Sequence, residues 1–290
     1  LAGVLTDVAP VALAAGFHGP QAADALAAVA KSAPGAPLAF HLDPISAFAG
    51  AGASPGPIDS HIVATTATAA RHADTYPKAS FFLASGQAVH EAGGSEAQEL
   101  AFMAASAVAY AKAMVRQGLS MQRALSGIVL GLAADQDYFL TIAKLRAARI
   151  LWARISEACG APTSARIEAR SSGRMLTAAD PWTNLIRLTA AGFAAAVGGA
   201  DAIVLGAFTD PLGLPSALAR RQARNTQLVL MEEAHIGRVA DPAAGAGYVE
   251  DLTAQLAAKA WSLFQAIEGA GGLVAALRAG AVQADVAKAR

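Results

Sequence analysis

The stretch SARIEARSSGRMLTAADPWTNLIRLTAAGFAAAVGGADAIVLGAF, residues 164–208, holds one full repeat of the architecture. SARIEARS (164–171) and DAIVLGAF (201–208) are short, mostly apolar runs bounded by Gly, Pro or Asp, the pattern of strands buried on both faces. Between them, apolar residues recur at three- and four-residue spacing from Pro181 to Val197, as on a helix that buries one face. Asp180 followed by Pro181 predicts an N-cap and a first-turn proline, and Gly198-Gly199 predicts the stop. Strand, helix and strand in this order form a right-handed βαβ unit with parallel strands.

The same alternation extends outward from this unit. GVLTDVAP (3–10), PLAFHLDP (37–44), ASFFLASG (79–86) and GIVLGLA (127–133) bring the strand candidates to six. Helical spacing fills Ala22 to Ala30, Ile62 to Ala73, Glu96 to Gln117 and Tyr138 to Cys159, with a helix-rich segment after residue 210. AGAGASPGP (49–57) reads as a flexible connection, since Gly and Ala offer little to bury and Pro blocks helix. An α/β chain with a parallel sheet follows, either an open doubly wound sheet or a (β/α)8 barrel for which six strands are too few.

Composition narrows the function classes. Of 290 residues, 54% are hydrophobic and 15% charged, which suits a large globular domain rather than a disordered chain. Lys plus Arg (22) balances Asp plus Glu (22), leaving no basic surplus for nucleic acid or an anionic membrane. Mean hydropathy is +0.40, yet Gly, Pro or charge interrupts every apolar run before the roughly 20 residues of a membrane span. The chain is therefore expected to be soluble and cytoplasmic. The lone Cys159 has no partner for a disulfide or a zinc site and is expected to be a small buried side chain. The chain opens on Leu1, and GVLTDVAP reads as a buried strand rather than a signal segment, which points to a processed or truncated start.

Few motifs carry chemistry by themselves. GAGASPG lacks the strand, helix and lysine of a phosphate loop. DSHIVA (59–64) approaches the Asp-x-His-x-x-Gly loop through which a histidine ligates cobalt in one class of cobalamin domain. Here Ala64 replaces the glycine and the segment opens a helix, so Asp59 or Ser60 reads as a cap and His61 as an exposed first-turn residue. SSGRML (171–176), next to Arg170 and with Arg174 inside it, offers hydroxyls and guanidinium groups where a barrel strand would end, a plausible anion contact. Arg220, Arg221 and Arg224 ahead of Glu232 and Glu233 read as a structural charge network. His90, between an apolar strand and a long helix, is either a catalytic group or the remnant of one.

The run 170–208, followed by LGLP, ARNTQLVLMEE, DPAAGAGYVEDLT and AGG, resembles the barrel domain of the methylmalonyl-CoA mutase family. QELAF, FLTIAKLRAARILWARI and SEACG match as well, so the resemblance covers roughly Gly3 to Gly272. It implies a (β/α)8 TIM-type barrel over residues 1–272, incomplete at its N-terminal end with about six βα units. A C-terminal helical tail over 273–290 follows, with no cobalamin-binding domain. The family's N-terminal arm and first barrel strands fall before Leu1.

Catalytic chains of the family carry Gly-Tyr-His-x-x-Glu-Ala-Gly where this chain has residues 86–93. Aligned on Glu91-Ala92-Gly93, Gln87 replaces the tyrosine and Ala88 the histidine. His90 matches instead the histidine of the non-catalytic small subunit. Leu42 stands where a glutamine is expected, Gly127 near an expected arginine, and Arg170 where another glutamine would be. The resemblance thus implies a small, non-catalytic subunit supporting a large chain. That chain would interconvert (R)-methylmalonyl-CoA and succinyl-CoA with adenosylcobalamin, the cofactor sitting on the partner. The degenerate pocket positions are then Gln87, Ala88, His90 and Gly127, with Arg170 and Ser172 as candidate substrate contacts. Alternatives are an acyl-CoA isomerase or acyl-CoA-binding protein acting through a rearranged pocket, and a stand-alone binding module.

Overall fold

A computed structural model describes residues 3–289. Among them run six strands: β1 (Val11–Ala12), β2 (Leu38–Leu42), β3 (Ser80–Ser85), β4 (Ile128–Ala134), β5 (Ile167–Ser171) and β6 (Ala202–Val204). Every neighbouring pair is parallel and the spatial order is β1-β2-β3-β4-β5-β6. Sequential order separates this sheet from a doubly wound one, whose order reverses at a switch point. In a flat sheet β2 and β5 would lie three spacings of about 4.8 Å apart with side chains perpendicular to the sheet. Instead His41 Nδ1 on β2 lies 3.5 Å from Glu168 Oε2 on β5. That contact crosses a curled interior, and the fold is an incomplete (β/α) barrel of TIM type.

The crossovers are α1 (Gly19–Val29), α2 (Pro44–Ala51) with α3 (Ile58–Ala73), α4 (Gln87–Glu91) with α5 (Glu96–Arg116) and α6 (Met121–Ser126), α7 (Tyr138–Ala158), and α8 (Thr183–Val197). α5 is buried almost all round because it lies between β3 and β4 inside and α10 (Gly247–Gly269) outside. Its alanines at 97, 101, 104, 105, 107 and 111 let those layers approach closely. α9 (Ala217–Leu228) continues into a π-helical turn, Val229–Glu233. Two short helices, α11 (Leu273–Arg278) and α12 (Ala281–Ala289), end the described chain, burying Leu273, Leu277 and Val286.

Several local expectations are corrected. Residues 3–9 are not a buried strand: Val8 and Ala9 donate to the Leu5 carbonyl in a turn, and Leu5 and Val8 are exposed. Only Val11–Ala12 pairs with β2, after Pro10. Asp180 does not cap α8, which starts at Thr183. Its carboxylate closes a preceding turn by accepting from Trp182 N (3.2 Å) and from the Thr183 hydroxyl. Gly199 does end the helix in the left-handed region, at φ +81°. Cys159 is exposed, because α7 stops at Ala158 and Gly160 (φ +68°) turns the chain away before the buried stripe of Trp152, Ile155 and Ser156 reaches it. α2 extends to Ala51, so the irregular connection begins only at Gly52. Pro57, not Asp59 or Ser60, precedes α3, and His61 is half-buried with its ring 4.9 Å from Phe17. Among the described residues no ion pair joins Arg220, Arg221 or Arg224 to Glu232 or Glu233; Arg220 instead donates to the Pro215 carbonyl at 2.7 Å.

Candidate functional site at the barrel mouth

Parallel barrels place their sites at the C-terminal ends of the strands. Here those ends border a cavity of about 620 Å³ whose polar wall is His41, Asp43, Ser46, Ser85, Gln87, Glu91 and Arg170. Ala88 and Ala92 supply part of the apolar wall. Gln87 and Ala88 reach it because α4 starts directly after β3, with Gln87 N donating to Ser85 Oγ. Arg170 reaches it because it shares the inward face of β5 with Glu168, two residues back, and the two pair at 3.2 Å.

His41 is the strained member. β2 changes register between Ala39 and Leu42, and His41 takes φ +43°, a conformation costing a non-glycine residue on the order of 1–3 kcal/mol. The irregularity turns its imidazole inward to Glu168. Burial lowers its basicity, Glu168 opposes that, and Arg170 and Arg166 add to the lowering. Asp43 follows at the head of α2, where it accepts from Ser46 N (3.2 Å) and from the Tyr110 hydroxyl (2.5 Å). Burial raises its carboxyl to about 7 despite those hydrogen bonds. The cavity thus combines an imidazole biased toward neutrality, a carboxyl that exchanges its proton near pH 7, and a guanidinium half-open to solvent. Such a set can receive a polar or anionic group and exchange protons with it.

His90 and Ser172 lie behind this wall, fully buried and bonded to each other, Nε2 to Oγ at 2.8 Å. Ser172 is therefore not a wall residue, unlike Arg170. Asp135 Oδ2 stands 3.3 Å from the same His90 nitrogen, and Glu99 Oε2 is 3.5 Å from Nδ1. Glu91 secures the loop after β5 by accepting from Gly173 N and Arg174 N at 2.8 and 3.1 Å. Gly127 is not brought to the cavity. It precedes β4 at the opposite end of the barrel, where an added Cβ would stand 2.6 Å from the Phe81 ring. Leu42 is fully buried.

Sequence reasoning missed His41, Asp43 and Glu168, and with them Glu99, Lys144 and Asp135. The signal was present as ionisable residues inside apolar runs: His41 in AFHLD, Glu99 in QELAF and Lys144 in TIAKLRA. Buried ionisable groups need partners, and that rule alone singles out these positions.

Parallel strands in sequential order, curled about an interior with polar groups at its C-terminal mouth, define an incomplete (β/α) barrel of TIM type. The methylmalonyl-CoA mutase family model matches residues 35–290, and the chain belongs to that family. The "Methylmalonyl-CoA mutase small subunit" of Streptomyces virginiae is 43% identical over 288 residues, covering 97% of this chain and 46% of that protein. The protein of the same name from Propionibacterium freudenreichii subsp. shermanii is 46% identical over 188 residues, covering 63% of this chain and 30% of that protein. The "Methylmalonyl-CoA mutase" of Escherichia coli K12 is 38% identical over 200 residues, covering 68% and 28%. The chain spans about half the length of the small subunits it matches along nearly its whole extent.

Proposed function

We propose that this chain is the barrel portion of a small, non-catalytic subunit of a methylmalonyl-CoA mutase-type isomerase. It supports a large chain that interconverts (R)-methylmalonyl-CoA and succinyl-CoA. The carrying observation is the state of the one histidine in the 86–93 motif: His90 is wholly buried and bonded to Ser172, while Gln87 and Ala88 occupy the wall. A general acid must come within hydrogen-bond reach of its substrate, and this imidazole faces protein on every side.

Adenosylcobalamin, which supplies the radical chemistry of such isomerases, is assigned to the partner chain. His61, the residue in an Asp-x-His context, sits in the first turn of α3 packed on Phe17, a position that does not suit a cobalt ligand. Among the described residues no helix is long and apolar enough to cross a membrane. The proposed assembly is assigned to the cytoplasm, and this chain's net charge of zero offers no basic surplus to nucleic-acid or anionic-membrane partners. Mutase turnover, measured for this chain alone and for the chain co-purified with a large mutase chain, tests the reading. Activity in the complex alone is expected; activity of the isolated chain overturns it.

A second reading is favoured by the solvent-facing Arg170 beside His41, Asp43 and Gln87. In it the rearranged pocket itself binds or isomerises an acyl-CoA. Calorimetric titration of the isolated chain with methylmalonyl-CoA separates the two, since only the second requires saturable binding that Arg170→Ala abolishes.

A further inference from the structure

Six charged or chargeable side chains meet beneath the barrel mouth. α5 contributes Glu96 and Glu99, the loop after β4 Asp135, α7 Lys144, the loop after β5 Arg174, and α4 His90. Lys144 Nζ is 2.6 Å from Glu99 Oε2 with both side chains fully buried, and the other Glu99 oxygen accepts from Ala133 N at 2.6 Å. Arg174 reaches Glu96 at 3.9 Å and Asp135 at 4.0 Å, and donates to the His90 and Gly94 carbonyls. α2 also packs on α4, but its segment PISAFAGA carries no ionisable side chain. On α12, Asp285 and Lys288 pair with each other.

The two ring nitrogens of His90 decide its charge. Nδ1 has no hydrogen-bond partner, and its nearby acceptors are Glu99 Oε2 at 3.5 Å and Glu96 Oε1 at 4.0 Å. Nε2 faces Asp135 Oδ2 at 3.3 Å as well as Ser172. A neutral ring protonated at Nε2 turns the Nδ1 lone pair toward Glu99, and one protonated at Nδ1 can accept from the Ser172 hydroxyl but leaves the Nε2 lone pair beside Asp135, in a water-poor setting where unbalanced charge is costly. Three carboxylates against two cationic side chains, Lys144 and Arg174, leave one negative charge that an imidazolium cancels.

We propose that His90 is a protonated staple which ties α4 to the loops after β4 and β5, so that the barrel mouth loosens when the imidazolium loses its proton. The role is a pH-dependent latch on the mouth, and it stands whether or not the chain serves a mutase partner. Burial by itself would lower the basicity of His90, but the close Asp135 and Glu99 carboxylates raise it above its ordinary value against the opposing charge of Lys144. A histidine raised on folding contributes stability that is complete below its unfolded value and is lost as pH rises through the folded one. The latch is thus closed below the ordinary imidazole value and opens as pH rises through the raised one.

The test is a nitrogen-detected titration of the full chain with labelled histidine, run beside amide hydrogen exchange of residues 135–137 and 172–174. The His90 ring is expected to carry both protons at pH 6.5 with these amides protected. At the higher pH where the imidazolium signal disappears, exchange corrected for its intrinsic pH dependence should rise by about tenfold or more, as expected for a local opening. Asp135→Asn, whose carboxylate lies at the network's edge, should move both events together to lower pH by about one unit, and it assigns the resonance even if His90→Gln does not fold. A neutral His90 ring at pH 6.5, titration without any change in exchange, or no displacement in Asp135→Asn would each overturn the proposal.

Discussion

Glu99 Oε2 and Lys144 Nζ lie 2.6 Å apart with neither side chain exposed, and the pair fastens α5 to α7 against the C-terminal end of β4. Burial pushes the Glu99 carboxyl up, but the Lys144 charge and the His90 contact outweigh it and hold the group at about 2. A buried pair of this kind adds little net stability over an apolar substitute, yet removing one partner strands the other.

Lys144→Met is therefore expected to cost about 3–5 kcal/mol in urea unfolding at pH 7, and the double variant Glu99→Gln with Lys144→Met to recover a large part. Because the Glu99 carboxyl is lowered from 4.5 to about 2, its contribution is present above pH 4.5 and fades as pH falls toward 2. Wild-type acid unfolding should show that fading, and the double variant should not. A double-variant cost equal to the sum of the Glu99→Gln and Lys144→Met costs would show that the two residues are not coupled.

Asp43 behaves in the opposite sense. Its carboxyl rises from 3.8 to about 7 on folding, so the native state binds the proton more tightly, and stability declines as pH climbs through that interval. Asparagine keeps an acceptor for Ser46 N and the Tyr110 hydroxyl without the charge. Relative to wild type, Asp43→Asn should gain stability between about pH 4 and 7, by at most on the order of 4 kcal/mol, and level off above. Guanidinium unfolding at a series of pH values reads this directly; a difference independent of pH would mean that Asp43 ionises freely in the fold.

The alternation of short apolar runs with helical spacing made the βα order legible, since burial on both faces and burial on one face leave different periods. The curl was not legible. It is carried by His41 and Glu168, far apart in sequence, and by a register shift in β2 that no propensity marks. Asp180-Pro181 was misread because the same turn chemistry serves a cap and a turn just before one. Cys159 was misread because its usual burial ignores where α7 stops. In the site, Gln87 and Ala88 were found by resemblance and Arg170 already from its place at a strand end, whereas His41 and Asp43 needed only the question of what an ionisable residue does in or beside an apolar strand.

Gly127 offers a check on what the missing arginine means. An added Cβ would press on the Phe81 ring at 2.6 Å and on the Arg123 carbonyl at 3.1 Å, so Gly127→Ala should destabilise by about 1–3 kcal/mol. The position lies at the barrel's far end, and ligand binding or assembly activity per folded molecule should be unchanged. Thermal unfolding together with specific activity measures both, and a selective loss of activity would place Gly127 in the function after all.

Arg170→Ala distinguishes a spectator wall from a working one. The guanidinium is half-exposed and already paired with Glu168, so its loss leaves no buried charge unpaired except through Glu168, which retains His41 at 3.5 Å. If the small barrel only supports its partner, turnover of the assembly should change by less than about threefold, far from the roughly 10²-fold or greater loss that follows removal of a group stabilising a transition state. Steady-state kinetics of the co-purified complex, with subunit stoichiometry checked by sedimentation, separates these outcomes. A large fall in kcat with the complex intact would move the chemistry into this barrel, and the proton-exchanging pair His41 and Asp43 would be the next residues to change.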